Sequence, residues 1–186
     1  MLLWASYHWR ALMKQMTGST VTPYGGHTPK IGQDCFLASG AHLIGDLEVG
    51  EACSFWFNTV VRADCNIIRI GDRVNVQDGT VIHVTAGTGP THIGSNVTIG
   101  HSAIIHACTI ADDVLVGMGA TILDGAQISS NCFVAANALV PPGRDYPEGK
   151  MIMGSPAKAI RDVTDEELRY IRESAIHYVE YALGYL

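Results

Sequence analysis

Residues 93–122 read IGSNVTIGHSAIIHACTIADDVLVGMGATI, and an aliphatic residue recurs at nearly every sixth position of this stretch. Ile93, Ile99 and Ile105 are six residues apart, and after one step of five the spacing resumes at Ile110. A period of six fits neither an amphipathic helix, which repeats about every 3.6 residues, nor a strand that alternates every two. The stretch therefore predicts neither a plain helix nor a plain alternating strand.

The same spacing extends over most of the chain. A six-residue period suits a backbone that runs straight for a few residues, turns a corner and buries one anchoring side chain on each side. Three sides make one coil, and coils stacked through parallel hydrogen bonding rise about 4.8 Å each. The sequence therefore predicts an all-β solenoid with stacked aliphatic columns inside. The predicted anchors are Ile31, Leu37, Leu43, Val49, Phe55, Val61, Ile67, Ile70, Val76, Ile82, Ile93, Ile99, Ile105, Ile110, Val116, Ile122, Ile128, Val134 and Val140.

The composition limits the partners and the location. The chain has 186 residues, a hydrophobic content of 47% and a formal net charge of -6. Because it offers no basic stripe for a phosphate backbone, no nucleic acid partner is expected. Residues 1–16 are apolar but are interrupted by charged side chains, so neither a secretory signal nor a membrane span is expected. The predicted location is the cytoplasm.

The C-terminal residues depart from the six-residue period. Thr164 followed by Glu167 forms the pattern of a capping box, and apolar residues then recur at helical spacing. We therefore expect a helix that begins near Asp165 and lies against the solenoid or a neighbouring chain. The predicted division is an N-terminal extension over 1–20, the solenoid over 21–160 and the C-terminal helix over 161–186.

The five cysteines share one position in the repeat. Each lies two residues before an anchor, in a slot that otherwise carries Ser, Thr, Ala or Val, and no pair shows CxxC spacing. Free cysteine often behaves as a small buried hydrophobe, so all five are expected to fill small interior pockets. They are Cys35, Cys53, Cys65, Cys108 and Cys132.

Three of the eight histidines are related by the repeat. His83 and His106 each follow an anchor directly, and His101 lies one nominal coil after His83. Because side chains alternate between the interior and the outside, all three are expected to point outward near one edge of the solenoid. Packing does not explain such a cluster, which indicates a metal site. The other five, interpreted as surface or structural residues, are His8, His27, His42, His92 and His177.

Polar residues of the neighbouring repeats accompany the histidines. Two segments supply them, RAD at 62–64 and NVQDGTVIHV at 75–84. Together with IGHSAIIHACTI at 99–110, these segments resemble the γ-class carbonic anhydrases and their bacterial homologues. The resemblance extends over nearly the whole chain from about residue 20, and it implies a left-handed parallel β-helix. The polar residues are Arg62, Asp64, Asn75, Gln77 and Asp78.

The resemblance implies a homotrimer with three metal sites at its subunit interfaces. His83, His101 and His106 match the family's metal ligands, of which two come from one subunit and one from its neighbour. His101 differs from the other two in repeat register, so we predict that it is the neighbour's ligand. Zn²⁺ is the expected metal, and Fe²⁺ or Co²⁺ would accept the same imidazoles. Three neutral imidazoles leave the full charge of the ion in place, which acidifies bound water and supplies hydroxide near neutral pH.

The resemblance also implies roles for the polar residues. Arg62 and Asp78 match a pair that forms an ion pair near the metal, and this arginine would either favour an anionic product or form a salt bridge of the trimer. Gln77 matches an amide that hydrogen-bonds the solvent on the metal. Asn75 and Asp64 match supporting positions.

The activity implied by the resemblance is the reversible hydration of CO₂ to bicarbonate. The best-known members carry a glutamate after their RxD segment, where this chain has Cys65 and Asn66, so a lower rate is expected. Tyr178 is a candidate for the missing proton shuttle if the helix returns to the site, although its spacing also fits core packing. There are three alternatives to this activity. They are metal-dependent hydrolysis of acyl-CoA thioesters, acyl transfer from a CoA thioester, and a trimeric scaffold in which a metal only holds the subunits together.

Overall fold

The computed structural model describes residues 14–185 as short strands in stacked coils, followed by one helix. Residues 1–13, the greater part of the predicted N-terminal extension, lie outside the described range, and the rest of that extension includes the first strand. The elements are β1 (Lys14–Gln15), β2 (Thr20–Thr22), β3 (Lys30–Ile31), β4 (Phe36–Leu37), β5 (His42–Val49), β6 (Ser54–Phe55), β7 (Val60–Ile70), β8 (Asn75–Val76), β9 (Val81–His83), β10 (Thr91–Ile93), β11 (Thr98–Ile99), β12 (Ile104–His106), β13 (Thr109–Ile110), β14 (Leu115–Val116), β15 (Thr121–Ile122), β16 (Gln127–Ile128), β17 (Phe133–Val134), β18 (Leu139–Val140), β19 (Asp145–Tyr146), β20 (Lys150–Gly154), β21 (Ala157–Asp162) and α1 (Asp165–Leu183).

Strands of successive coils pair in parallel and form three faces of a prism. This arrangement confirms the left-handed parallel β-helix, which has about eight coils. The helix face, named for the helix that covers it, consists of β1, β4, β6, β8, β11, β14, β17 and β20. The histidine face consists of β2, the first halves of β5 and β7, β9, β12, β15 and β18. The third face consists of β3, the second halves of β5 and β7, β10, β13, β16 and β19.

The predicted anchors form the interior columns. On the histidine face Leu43, Val61, Ile82 and Ile105 lie one above another in the strand register, and none of them is exposed. Each coil contributes one such side chain to each column, so the aliphatic repeat becomes a continuous core. This packing explains how a chain of two-residue strands holds together, because burial of apolar surface is the main stabilising contribution.

One corner departs from the predicted repeat. Between the two halves of β7, residues 64–67 lie opposite the single residue Asp46 of β5, so the longer segment bulges outward. The prediction for Ile67 is therefore wrong, since it is half-buried and Ile68 takes the interior position. The prediction for Cys65 is wrong for the same reason, because its thiol is exposed on the bulge.

The other four cysteines are buried, as expected. Burial raises the pKa of the Cys108 thiol to about 12, and it also raises the pKa of Cys132. These thiols are therefore protonated at neutral pH and serve as small apolar side chains.

The helix α1 begins at Asp165, as predicted, and lies along the helix face. Tyr178 packs edge-on against Trp56 with ring centroids 5.5 Å apart, and the Thr98 hydroxyl donates to the Ser174 hydroxyl at 3.1 Å. Within residues 14–185 no helix combines the length and apolar character needed to cross a bilayer. The cytoplasmic location stays a prediction.

The capping box of α1 gives a stability prediction. Hydrogen bonds from Arg161 and from the Thr164 backbone N–H lower the pKa of Glu167 to about 2. We expect Glu167→Ala to lower the free energy of unfolding by about 1 kcal/mol at pH 7. Because the folded-state pKa is lowered, this contribution is present above the ordinary value of 4.5 and is lost as the pH falls toward 2.

Urea unfolding of the wild type and the variant at pH 7 and pH 3 measures this effect. Glu166→Ala, in the same helical turn, is the matched control and should change stability by less. Equal losses for the two variants, or a loss independent of pH, would contradict the role assigned to Glu167.

Candidate metal centre

His83 and His106 form a pair on the histidine face. Each is the last residue of its strand, β9 or β12, and the two lie directly opposite each other in the parallel register. Their rings approach so that His83 Nδ1 lies 3.2 Å from His106 Nε2. The predicted clustering of these two histidines is therefore a direct consequence of the coil repeat.

The outer nitrogen of each ring faces a carboxylate. His83 Nε2 lies 3.0 Å from Asp64 Oδ1, and His106 Nδ1 lies 2.7 Å from Asp124 Oδ1. An ionised carboxylate only accepts hydrogen bonds, so each outer nitrogen carries a hydrogen. A neutral ring held in this way presents the lone pair of its facing nitrogen.

This pair fits a divalent metal ion. Two nitrogen ligands of tetrahedral zinc, each about 2.0–2.1 Å from the ion, lie about 3.3 Å from each other. The observed 3.2 Å between the facing nitrogens of His83 and His106 agrees with that spacing. Carboxylates on the outer nitrogens are also the usual partners of metal-binding histidines.

Asp64 lies on the β7 bulge and connects Arg62 to the pair. Partial burial acts to raise the pKa of Asp64, but hydrogen bonds from His83 and Arg62 outweigh it and hold this pKa at about 2. Ligand atoms of Asp64, Cys65 and His83 also lie within 4.8 Å of one another, which is a second grouping that a metal could use. Since both oxygens of Asp64 already accept hydrogen bonds, we favour the histidine pair.

His101 lies apart from the pair in a single chain. It occupies the turn before β12, at the opposite end of that strand from His106, and its Nδ1 lies 2.7 Å from Asp78 Oδ2. The expectation that all three histidines share one edge is therefore correct for His83 and His106 and wrong for His101. The reason is its place two residues after the anchor Ile99, which puts it in the corner between the helix face and the histidine face.

Asn75 and Gln77 point outward on the helix face, but both are buried. The Gln77 amide donates to Asn75 Oδ1 at 3.3 Å, and the Asn75 amide donates to the Thr98 hydroxyl at 2.8 Å. Thr98 in turn bonds to α1, so Asn75 links the coil to the helix. Gln77 directly precedes Asp78 and therefore lies beside the corner that carries His101.

Tyr178 approaches that same corner. A cavity of about 550 Å³ is lined by Tyr178, Asp78 and His101 together with Trp56 and other aromatic residues. Burial raises the pKa of Tyr178, and the nearby charge of Asp78 raises it further. The helix therefore returns to the corner, and Tyr178 has both of its predicted environments, the packed aromatic cluster and the neighbourhood of His101.

Two residues beside the pair, Asp124 and Thr85, were not predicted from the sequence. Asp124 contacts His106, and the Thr85 hydroxyl donates to Asp124 Oδ2. A signal was present, because Asp124 follows His106 by eighteen residues, which is one nominal coil. No comparable signal identified Thr85, which lies in the irregular loop after β9.

Comparison with known proteins found close relatives, whereas no family model matches the chain. The chain is 46% identical over 160 residues to gamma carbonic anhydrase 2, mitochondrial, of Arabidopsis thaliana, a match covering 83% of this chain and 58% of that protein. The chain thus spans little more than half of the plant relative. It is 39% identical over 160 residues to a carbonic anhydrase of Geobacillus kaustophilus, covering 86% of this chain and 87% of that protein. The crystal structure of a hexapeptide transferase family protein from Anaplasma phagocytophilum superposes with a TM-score of 0.85 at 40% identity, covering 89% of this chain and 98% of that one.

Proposed function

The chain belongs to the gamma carbonic anhydrase family, and we propose that it reversibly hydrates CO₂ to bicarbonate at a divalent metal held between the chains of a homotrimer. The observation that carries the proposal is the His83–His106 pair, whose facing nitrogens lie 3.2 Å apart while their outer nitrogens are held by carboxylates. Relatives named as carbonic anhydrases support the choice of reaction.

The two ends of the histidine face carry complementary parts of the site. We call Arg62, Asp64, His83, His106 and Asp124 the face half-site, and Gln77, Asp78, His101 and Tyr178 the corner half-site. In a trimer, the corner half-site of one chain would meet the face half-site of its neighbour. His101 would then complete a set of three imidazoles, and Asp78 would reach Arg62 across the interface.

Exposed apolar side chains support this assembly. Val81 and Ile104 are neighbours in the ladder that ends in the histidine pair, yet they are 40% and 44% exposed. Met118, in the next coil of the corner that carries His101, is 59% exposed. Apolar side chains grouped beside a polar site are typical of a surface that another chain covers.

His83, His106 and a neighbour's His101 would hold the ion, with Zn²⁺ expected and Fe²⁺ or Co²⁺ compatible with the same donors. When bound there, such an ion would acidify water to a pKa of about 7 and so make hydroxide available for CO₂ at neutral pH. Asp64 keeps the outer hydrogen of the His83 ring in place. The Arg62 guanidinium, next to His83 through Asp64, favours the anionic product.

Two further side chains of the corner half-site have proposed roles. The Gln77 amide would orient solvent, since it lies beside Asp78 and would face the neighbour's site. The Tyr178 hydroxyl, which lines the cavity with His101, is the candidate for passing the released proton toward solvent. Its raised pKa keeps this hydroxyl protonated at neutral pH, so it would act by relaying protons through its neutral form.

Removal of the metal tests the proposal. We expect protein purified without added metal to contain about one bound divalent ion per chain, and prolonged dialysis against a chelator should abolish CO₂ hydration. Adding Zn²⁺ or Co²⁺ should restore it. Hydration is measured by stopped-flow with a pH indicator, beside thiol release from acyl-CoA with the same samples.

The alternatives give different outcomes in the same experiment. Thiol release that depends on the metal, without CO₂ hydration, would replace the proposal with thioester hydrolysis. Acyl transfer that survives chelation would identify an acyltransferase. A metal that is bound without either activity would leave only the scaffold role.

A further inference from the structure

A carboxylate that none of the family motifs includes holds the ring of His106 at Nδ1, the nitrogen that points away from His83. We propose that Asp124, braced by Thr85, is a positioning residue that fixes the His106 ring with Nε2 directed at the metal. This inference rests on the proposed function, because it assumes that His106 is a ligand.

Asp124 is fixed on both of its oxygens. Oδ1 lies 2.7 Å from His106 Nδ1, and Oδ2 accepts a hydrogen bond from the Thr85 hydroxyl. The backbone is fixed as well, because the N–H of Gly125 donates to the carbonyl of Ala107 at 2.7 Å, one coil below. The carboxylate is therefore placed beside the imidazole by the coil register, and the hydroxyl fixes its rotation.

This placement selects one state of the ring. A neutral imidazole has two tautomers, and only the form with hydrogen on Nδ1 presents a lone pair from Nε2 toward His83. An acceptor 2.7 Å from Nδ1 stabilises that form and also resists rotation of the ring. Outer partners of this kind typically contribute about 10- to 100-fold to metal affinity.

Asp124 differs from Asp64, which holds the other ring. Asp64 shares its charge between His83 and the Arg62 guanidinium, whereas the second contact of Asp124 is a neutral hydroxyl. The orientation of Asp124 therefore depends on a neutral hydroxyl, whereas that of Asp64 depends on an ion pair.

The test measures metal affinity instead of activity. Zn²⁺ affinity is determined by competition with a chromophoric chelator, and the visible spectrum of the Co²⁺ form reports ligand geometry. We expect Asp124→Ala to weaken Zn²⁺ binding about 10- to 100-fold and to change the Co²⁺ spectrum. Asp124→Asn keeps an acceptor oxygen and should lie between the wild type and Asp124→Ala.

The contact between Thr85 and Asp124 gives a separate prediction within this test. Thr85→Val keeps the shape of the side chain and removes the donor, and it should weaken Zn²⁺ binding a few-fold. Because Thr85 acts through Asp124, the same change made in the Asp124→Ala background should have no further effect. If the losses of Zn²⁺ affinity in the two single variants add up in the double variant, Thr85 does not act through Asp124.

Asp113→Asn is the control, since Asp113 also lies at a coil corner but accepts from Asn96. Circular dichroism and light scattering establish the folding and the oligomeric state of each variant. If Asp124→Ala does not fold, the Zn²⁺ affinities of Asp124→Asn and Thr85→Val test the inference instead. Wild-type affinity in the Asp124 variants, with affinity lost in His106→Ala, would overturn this inference and leave the proposed function standing. Undiminished Zn²⁺ affinity in His106→Ala would overturn both.

Discussion

Replacing His106 by alanine should abolish CO₂ hydration while leaving the proposed trimer assembled. The loss should exceed the roughly 100-fold that removal of an outer partner costs, because the change removes a ligand itself. It also leaves a site with two imidazoles, which holds a divalent ion weakly. Stopped-flow hydration assays and zinc content, measured on the same purified samples, give the result.

His92→Ala is the matched control. His92 projects from β10 on the third face, away from the proposed interface, so its removal should leave hydration and zinc content unchanged. Light scattering shows whether the His106→Ala variant keeps its oligomeric state, and this distinguishes a catalytic role of His106 from a purely structural one. A variant that falls apart into chains, or one that remains fully active without a metal, would contradict the role assigned to His106.

The solenoid could be predicted because its core repeats with the backbone. Leu37 and Phe55, eighteen residues apart, occupy equivalent positions in successive coils, so a single spacing rule predicts both their burial and their contact. The rule fails where the backbone leaves the repeat. On β7 the bulge at 64–67 exposes Cys65, and a count of six gives no indication that these residues lie outside the ladder.

The candidate site could be predicted only in part, for the same physical reason. The register places His83 over His106, and the sequence predicts that contact directly. The turn that carries His101 is not part of a ladder, so its distance from the pair depends on the width of a face. The contacts of Asp124 depend on side-chain geometry at a corner, which the spacing of anchors does not describe.

Mixing two inactive variants should restore activity. In the proposed trimer each site takes His83 and His106 from one chain and His101 from its neighbour. His101→Ala and His106→Ala homotrimers each lack one ligand in every site. After the two are unfolded and refolded together in equal amounts, about a quarter of the sites should take their pair from a His101→Ala chain and His101 from a His106→Ala chain. Those sites are complete, so about a quarter of the wild-type hydration rate should return.

The control mixture combines His83→Ala with His106→Ala. Both changes affect the face half-site, so every pair lacks one histidine regardless of how the chains assort, and no activity should return. Hydration is measured before and after refolding, with wild-type protein taken through the same steps to correct for yield. If neither mixture recovers, His101 and the pair act within one chain. Hydration by the unmixed His101→Ala protein would show that His101 is not a ligand. If both recover, His83 and His106 are contributed by different chains, which their register contact at 3.2 Å within one chain argues against.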